Sequence, residues 1–477
     1  MNTIRIILWI ILSYYIALQA IYLLLLLLGS LQIRRYNKGI TFAEFRRIGE
    51  SRLTMPVSLI IPCYNEALII CSTILNVLKL TYPQFEVIVV SDGSTDNTIE
   101  TLIEKFQLRR IERFGRRFIS TQPILGVYES AEYPNLVVVE KENGRRADAI
   151  NAGVSMARYP LLCVIDADCV LESDALLHMA RPFLLDSRVA AVAGVVRPSN
   201  GLNVVEGEIV AKGFPKTLLG MNQEVEYARS FQWARIGLSR LRSMLCISGA
   251  LILVKKTLFE KVGGPWPDAI TDDIEFTMRL NRHIHDRRNK EDARLVFAPN
   301  AICYTEIPEK IGQYASQRNR WQRGTLQAIW RNRGMIFNPR YGMTGLFGMP
   351  YFLLFEGLSA IVELSAWILM VICLVLGIAT GFEIVAMLFL AYIMGVFLSL
   401  SAVLLTEASR LRSASWREFW RLILAIFLDN LGPHQFHLLC RVIGTFQFLL
   451  GRHDLGKPME RNGTQNTSTK PIPLTML

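Results

Sequence analysis

The sequence lacks any C-x-x-C pair, although it contains eight cysteines. Without such pairs we expect no zinc site, and cysteines that lie in apolar stretches are expected to be buried, reduced thiols rather than disulfides. No A-x-A-like cleavage site follows the apolar run at residues 6–28. That run therefore predicts an uncleaved membrane anchor rather than a signal peptide.

A nucleic-acid-binding motif is also lacking, although the formal net charge is +11. Many of the cations stand beside apolar runs, where they indicate a positive-inside signal at an anionic membrane face rather than a nucleic-acid surface. These are Arg34, Arg35, Arg46, Arg47, Arg410, Arg412, Arg417 and Arg421. We therefore predict no nucleic-acid partner, a bilayer partner, and a cytosolic location for the chain from residue 32 onward.

Long apolar runs are abundant, and they lie at the two ends of the chain. Hydrophobic residues make up 51% of the sequence, and about 20 apolar residues in a helix cross a bilayer. The predicted spans are 6–28, 358–380, 384–405 and 436–450, with an interfacial helix at 416–428 and a re-entrant hairpin near 431–434 as an alternative. The predicted organisation is an anchor (1–31), an α/β domain (53–330), interfacial and transmembrane helices (331–456) and a polar tail (457–477).

The middle of the chain alternates short apolar runs with helical patterns. Runs at 57–62, 85–90, 136–139 and 161–165 have the length and composition of buried strands, with helical stretches between them. This alternation predicts a Rossmann-like parallel sheet covered by helices on both faces.

The last of these strands ends in Asp166-Ala167-Asp168. Side chains two residues apart on an extended chain point the same way, so both carboxylates are expected beyond the carboxyl end of the sheet, where such folds bind ligands. Two hard oxygen donors suit Mg²⁺ or Mn²⁺ with the remaining positions left to water and a diphosphate. An Asp-rich turn that only caps the strand is the alternative.

Two other strands end in polar turns at the same predicted edge. Tyr64 and Glu66 follow the first strand, and Asp92 ends the second. A glycine turn with cations, which includes Arg146 and Asp148, opens the next helix and suits a diphosphate. Together these turns predict a crevice of nucleotide size, with Tyr64 against a base and Asp92 accepting from its ring N–H.

Six motifs in this order resemble the family 2 glycosyltransferases. They are I-P-C-Y-N-E, S-D-G-S-T-D-N-T, E-N-G-R-R-A-D-A-I-N, D-A-D, I-T-D-D and Q-R-N-R-W. The last, Q-R-N-R-W at residues 317–321, is similar to a motif of one branch of that family. That branch is membrane-embedded and processive, and it makes cellulose, chitin, hyaluronan and poly-N-acetylglucosamine. The resemblance implies a GT-A-type catalytic domain in the cytosol and multi-pass insertion in a bacterial inner membrane.

The resemblance also implies roles for individual residues. Asp92, with Tyr64 and Glu66, would bind the uridine of a UDP-sugar, and Asp166 and Asp168 would hold the metal. Asp273, with Asp272 beside it, would be the catalytic base. The remaining residues of the implied substrate site are Arg146, Asp148, Ser248, Gly249, Gln317, Arg320 and Trp321, and Glu224, Tyr227 and Arg229 lie in a segment typical of the branch.

The implied reaction is inverting transfer from a UDP-sugar to a growing β-linked polysaccharide, with coupled export and possible auxiliary export subunits. UDP-N-acetylglucosamine is the favoured donor and UDP-glucose the next. Transfer of one sugar to a lipid carrier or glycolipid is the alternative enzyme, and a transporter or receptor that contains a nucleotide-binding domain is the alternative class. Arg146 stands where relatives usually have Lys, and Asp272 replaces a Glu.

Overall fold

A computed structural model describes residues 2–38, 51, 54–113, 115, 119–286, 292–409 and 416–452. The predicted tail and the cations Arg46, Arg47, Arg410 and Arg412 lie outside these ranges. The strands are β1 (Val57–Cys63), β2 (Phe85–Asp92), β3 (Leu108–Ile111), β4 (Ile124–Ser130), β5 (Leu136–Lys141), β6 (Leu161–Val164), β7 (Val170–Leu171), β8 (Val189–Pro198), β9 (Asn203–Val205), β10 (Glu208–Ala211), β11 (Ile252–Lys255) and β12 (Arg294–Thr305).

The helices of the α/β domain cover both faces of its sheet, and longer helices flank it in sequence. They are α1 (Asn2–Lys38), α2 (Ile70–Leu78), α3 (Thr98–Phe106), α4 (Arg145–Met156), α5 (Ala175–Leu185), α6 (Leu218–Glu226), α7 (Ala234–Arg240), α8 (Lys256–Val262), α9 (Asp272–His285), α10 (Ile311–Arg331), α11 (Met349–Tyr351), α12 (Ser359–Val375), α13 (Gly381–Ser409), α14 (Trp416–Asp429) and α15 (Pro433–Leu449). A π-helical segment, Tyr227–Trp233, joins α6 to α7.

The main sheet has ten strands in the order β3-β4-β5-β2-β1-β6-β11-β8-β12-β7. The pairs β5–β2, β2–β1 and β1–β6 are parallel, which confirms the predicted α/β class. The sheet as a whole is mixed, because β11 runs antiparallel to β6 and β8, and β4 antiparallel to β3 and β5. We did not predict β3, in which Arg109 and Arg110 are exposed, or β4, in which Leu125 is exposed and Glu129 half-buried, because neither has the continuous apolar pattern of a strand buried on both faces.

The core strands are buried over nearly their whole length, and most of their residues are apolar, because both faces are covered. Every residue of β1 is buried, and so is every residue of β2 after Phe85. Buried parallel strands show this continuous apolar pattern rather than strict alternation. The polar residues at their carboxyl ends are consequently held in place by a rigid sheet.

Two described helical stretches, Ile6–Tyr36 and Gly381–Thr406, are long and apolar enough to cross a membrane. A third span is formed if Thr344–Gly357 and α12, which meet at a bend of 47°, count as one. The predicted last span at 436–450 does not pass this test, because α15 has only 17 residues and carries polar groups. Instead α15 packs against α10 and α12.

The apolar helices pack directly on the α/β domain. In α7, Gly237 lies against α1 so closely that a Cβ there would be 2.6 Å from the carbonyl oxygen of Leu25. From the π-helical segment, the indole N–H of Trp233 donates to Thr406 Oγ1 in α13 at 2.9 Å. The segment Tyr227–Trp233 thus connects the sheet domain to both apolar helices.

Candidate active site

A single cavity of about 1930 Å³ begins at the carboxyl ends of the central strands. Its walls include all but one of the residues predicted from the sequence. These are Tyr64, Glu66, Asp92, Arg146, Asp166, Asp168, Ser248, Gly249, Asp272, Asp273, Gln317, Arg320 and Trp321. The exception is Asp148, which lies beneath the wall with 4% of its surface exposed.

The turns after β1 and β2 are joined by hydrogen bonds. Asn65 Oδ1 accepts from the backbone N–H of Thr95 at 2.7 Å, and the backbone N–H of Asn65 donates to Ser94 Oγ. Gly93 has φ +67°, and a Cβ there would be 2.7 Å from the backbone nitrogen of Asn143. Glycine is required at this position because only it allows both the positive φ and the close approach.

Asp92 ends β2 and is almost fully buried. Lys141 Nζ lies 2.6 Å from Asp92 Oδ1 and 2.6 Å from Asp148 Oδ2. The backbone N–H of Gly144 donates to Asp92 Oδ1 at 3.0 Å. These contacts leave Asp92 at the cavity wall with a set orientation, and they give Asp148 a supporting position rather than a place in the wall.

Asp166 and Asp168 both face the cavity, but β6 ends at Val164, so both lie in the turn after the strand and not on the extended chain that we expected. Asp168 Oδ2 accepts from Thr305 Oγ1 at 3.1 Å, and Asp166 Oδ1 accepts from Arg146 Nε at 2.8 Å. The described residues contain no group of three or more His, Cys, Asp or Glu side chains that could hold a metal alone. Two carboxylates fit Mg²⁺ or Mn²⁺ if phosphate oxygens and water complete the shell.

Arg146 lies at the centre of the acidic groups. Its guanidinium contacts Asp166 and Asp272 and donates to the carbonyl oxygen of Gly249 at 3.0 Å. Burial alone would lower the pKa of Arg146, but Asp166, Asp272 and Asp273 outweigh it and raise that pKa. A permanent cation therefore stands between the two Asp-containing motifs.

Asp273 is the second residue of α9 and lines the cavity. Its carboxylate accepts from the backbone N–H of Gly249 at 3.1 Å and from that of Ile274 at 2.9 Å. Burial and the adjacent Asp272 raise the pKa of Asp273, although Arg146 and the two backbone N–H groups oppose the rise. A carboxylate with a raised pKa, held by fixed donors, has the properties of a general base.

The Q-R-N-R-W motif lies in α10 and forms the opposite wall. Arg320 has no ion pair with any residue that the structure describes, although the charges of Asp273 and Asp272 act to raise its pKa. Burial lowers the pKa of Arg320 despite these carboxylates. An unpaired guanidinium in a cavity wall is suited to an incoming anion such as a diphosphate.

We missed several residues that shape this cavity. Lys141, which neutralises Asp92, and Thr305, which holds Asp168, were not singled out, because one lysine or threonine at a strand end has no distinctive spacing. Arg318 belongs to Q-R-N-R-W, but the resemblance implied no role for it. In the predicted segment, Tyr227 and Arg229 do line the cavity, whereas Glu224 is buried in an ion pair with Arg197 at 2.7 Å.

Two curated relatives resemble much of this chain. A poly-beta-1,6-N-acetyl-D-glucosamine synthase of Staphylococcus epidermidis is 28% identical over 318 residues, which are 66% of this chain and 63% of that protein. The enzyme of the same name from Staphylococcus aureus strain COL is 28% identical over 277 residues, 58% of this chain and 56% of that protein. The chain thus spans less than two thirds of the length of these relatives.

Among solved structures, a mannosyltransferase from Pyrobaculum calidifontis in complex with GDP-Man and Mn²⁺ has the same fold. It covers 87% of this chain and 99% of its own, with a TM-score of 0.50 and 19% sequence identity. Residues 58–263 match the family described as Glycosyl transferase family 2, and residues 161–428 match Glycosyl transferase family group 2. The second match spans more than half of the sequence, so the chain belongs to glycosyl transferase family group 2.

Proposed function

We propose that the protein is an inverting membrane glycosyltransferase that extends a β-linked polysaccharide from a UDP-sugar donor. UDP-N-acetylglucosamine is the proposed donor, because the curated relatives named above are poly-N-acetylglucosamine synthases. UDP-glucose is the next candidate. The proposed location is the bacterial inner membrane, with the α/β domain in the cytosol and auxiliary export subunits as further partners.

The observation that carries this proposal is the extent of the cavity. From the carboxylates Asp166 and Asp273 it continues between the apolar helices, where residues of α1, α12, α13 and α15 line it. Polar groups occur along this part, including His434 and Glu363, whose Nε2 and Oε1 atoms lie within hydrogen-bond distance at 2.9 Å. A hydrated polar chain needs such a lined path through an apolar region, so synthesis and export are proposed to share one cavity.

The donor is proposed to bind across the sheet edge. Tyr64, 41% exposed, would lie against the base, and Asp92 would accept from the base N–H. Arg146 and Arg320 would bind the diphosphate and stabilise the negative charge that develops on it as the sugar leaves.

Asp273 would take the proton of the acceptor hydroxyl from the face of the sugar opposite the diphosphate. One displacement of this kind inverts the anomeric centre, so an α-linked donor yields a β-linked product. Trp321 would stack on the acceptor sugar, with Ser248 and Gly249 lining the acceptor site and Gln317 contacting the diphosphate.

Asp166 and Asp168 are the proposed ligands of a divalent cation. When bound, Mg²⁺ or Mn²⁺ would neutralise charge on the diphosphate and so improve it as a leaving group. The solved Pyrobaculum neighbour contains Mn²⁺, which makes Mn²⁺ a reasonable first choice for an assay.

The test is turnover of the purified, detergent-solubilised protein with radiolabelled UDP-N-acetylglucosamine, UDP-glucose and GDP-mannose, with the product sized on a gel. A product of high mass from one UDP-sugar supports the proposal and names the donor. A single sugar attached to lipid would establish the alternative, transfer to a lipid carrier. Turnover with GDP-mannose alone would overturn the donor assignment.

A further inference from the structure

Arg318 is the most deeply buried arginine of the Q-R-N-R-W motif, with 1% of its surface exposed. Its guanidinium lies between two rings of the same helix. The guanidinium carbon is 4.6 Å from the ring centroid of Tyr314 and 4.2 Å from that of Trp321. A desolvated guanidinium over an aromatic face is an attractive contact that fixes the orientation of both groups.

The same guanidinium is anchored to a different part of the chain. Arg318 Nη2 lies 2.6 Å from Glu226 Oε2, at the end of α6. Arg318 Nη1 donates to Gln317 Oε1 at 2.9 Å, so one arginine contacts two other residues of its motif, Gln317 and Trp321. Glu226 and Tyr314, the further partners, raise the pKa of Arg318 against the effect of burial.

Glu226 stands where α6 gives way to the π-helical segment Tyr227–Trp233. That segment supplies two more rings to the wall beside Trp321. Phe231 lies 5.7 Å from Trp321 and 4.4 Å from Tyr227, measured between ring centroids. π-Helical turns inside longer helices occur frequently at functional sites because they redirect side chains.

We propose that Arg318 is a positioning residue for the acceptor, acting through Trp321. The Glu226–Arg318 ion pair ties the π-helical segment to α10 and thereby fixes Trp321 beside Phe231, which together form one aromatic wall for a sugar ring. This inference rests on the proposed function. The aromatic wall would then bind the acceptor, whereas Asp92, Arg146, Gln317 and Arg320 would bind the donor.

The test measures two activities of the same purified protein. The amount of UDP released reports donor binding and departure of the leaving group. The amount of sugar incorporated into product also depends on the position of the acceptor. The variants are Arg318→Lys, which keeps the charge but loses the planar stacking group, and Glu226→Gln, which removes the anchor. Arg331→Lys, on the same helix but in an ion pair whose aspartate, Asp268, is 68% exposed, is the matched control.

We expect Arg318→Lys and Glu226→Gln to lower incorporation by about 10–100-fold, the effect of a small misplacement of a reacting group. UDP release should change far less, so the ratio of UDP released to sugar incorporated should rise, and the KM for added acceptor oligosaccharide should increase. Arg331→Lys should leave both activities unchanged.

Equal losses of UDP release and incorporation, with an unchanged ratio, would overturn the positioning role. If Arg318→Lys folds poorly, Glu226→Gln decides the matter, because it leaves the guanidinium and both rings in place. Failure of the proposed function is a distinct result, since the unmodified protein would then incorporate no sugar from any UDP-sugar.

Discussion

The ammonium group of Lys141 lies 2.6 Å from the carboxylate of Asp92, and neither side chain is more than 4% exposed. The same ammonium group contacts Asp148 at 2.6 Å. A buried cation between two carboxylates leaves one negative charge in excess, and its hydrogen bond to Asp92 holds that carboxylate in place at the cavity wall. The pair therefore links the stability of the sheet edge to the proposed selection of the donor base.

We expect Lys141→Met to destabilise the protein by about 3–5 kcal/mol, because it leaves two buried carboxylates without their cation. Lys79→Met is the control, since the Lys79–Glu208 pair is 41% and 67% exposed and such pairs contribute about 0–1 kcal/mol. The measurement is thermal unfolding in detergent, with UDP affinity by calorimetry. Equal changes for the two variants would contradict the structural role of the buried pair.

The double variant Lys141→Met, Asp148→Asn tests how much of the stability lost in Lys141→Met is due to the excess buried negative charge. It removes one cation and one carboxylate together, so part of the lost stability should return, while the cost of a buried Asp92 without its cation remains. UDP affinity should return only in part, because Asp92 then lacks the ammonium group that holds its carboxylate in place. Full recovery of UDP affinity in this variant would show that the base does not depend on the orientation of Asp92.

Asp273→Asn is expected to lower sugar transfer by about 10²–10⁴-fold, the usual contribution of a general base. UDP binding should be nearly unchanged, since the amide oxygen can still accept from the backbone N–H of Gly249. Asp268→Asn, at an exposed aspartate outside the cavity, is the matched control. Near-normal turnover of Asp273→Asn would exclude it as the base.

The raised pKa of Asp273 has a consequence for pH dependence. A base must be ionised, so activity should fall on acidification at a higher pH than the ordinary value of about 3.9 for aspartate predicts. Since the folded-state pKa lies above the unfolded value, ionised Asp273 costs stability at neutral pH, and that cost vanishes below the unfolded pKa. Asp273→Asn should therefore raise the melting temperature at pH 7, with a gain that shrinks towards pH 4.

Removal of the metal should abolish transfer, and Asp168→Ala should weaken the metal-dependent part of UDP binding. Loss of one of two protein ligands to a divalent cation is the physical reason. Titration of Mn²⁺ followed by paramagnetic resonance measures the site directly, with Asp292→Ala, an exposed aspartate, as control. Unchanged Mn²⁺ affinity in Asp168→Ala would show that Asp166 and Asp168 do not form the site.

Trp321→Ala should reduce elongation more than it reduces UDP release, because the indole would contact the acceptor rather than the nucleotide. Trp330→Ala lies on the same helix with the ring 62% exposed, and it should have little effect on either activity. Product length on a gel, with UDP release measured in parallel, provides the comparison. Loss of UDP release alone would place Trp321 at the donor.

Much of the fold and the site follows from local patterns. Strands buried on both faces are continuous apolar runs, so β1, β2, β5 and β6 were readable without a structure. Their carboxyl ends necessarily meet at one edge where the sheet is parallel, which is why Asp92, Asp166 and Asp168 were expected together. That they share a cavity with Asp273 and Arg320 of α9 and α10 agrees with this expectation.

Other features depend on contacts between residues distant in sequence. The antiparallel direction of β11 and the buried partner of Asp92 have no local signature, because each is defined by what packs against it. Arg318 shows the difference between local and long-range features. It belongs to a motif that can be recognised in the sequence, but its ion-pair partner, Glu226, lies 92 positions away.

The sequence by itself determined the fold class, the two long apolar helices and the residues at the strand ends, because the periods of buried strands and membrane helices are local properties. The tertiary structure alone decided which charges neutralise one another and which stay available. Lys141 forms ion pairs with two buried carboxylates, whereas Arg320 has no ion pair among the described residues. The reason is that desolvation and Coulomb energy depend on the distances between side chains, which no single stretch of sequence specifies.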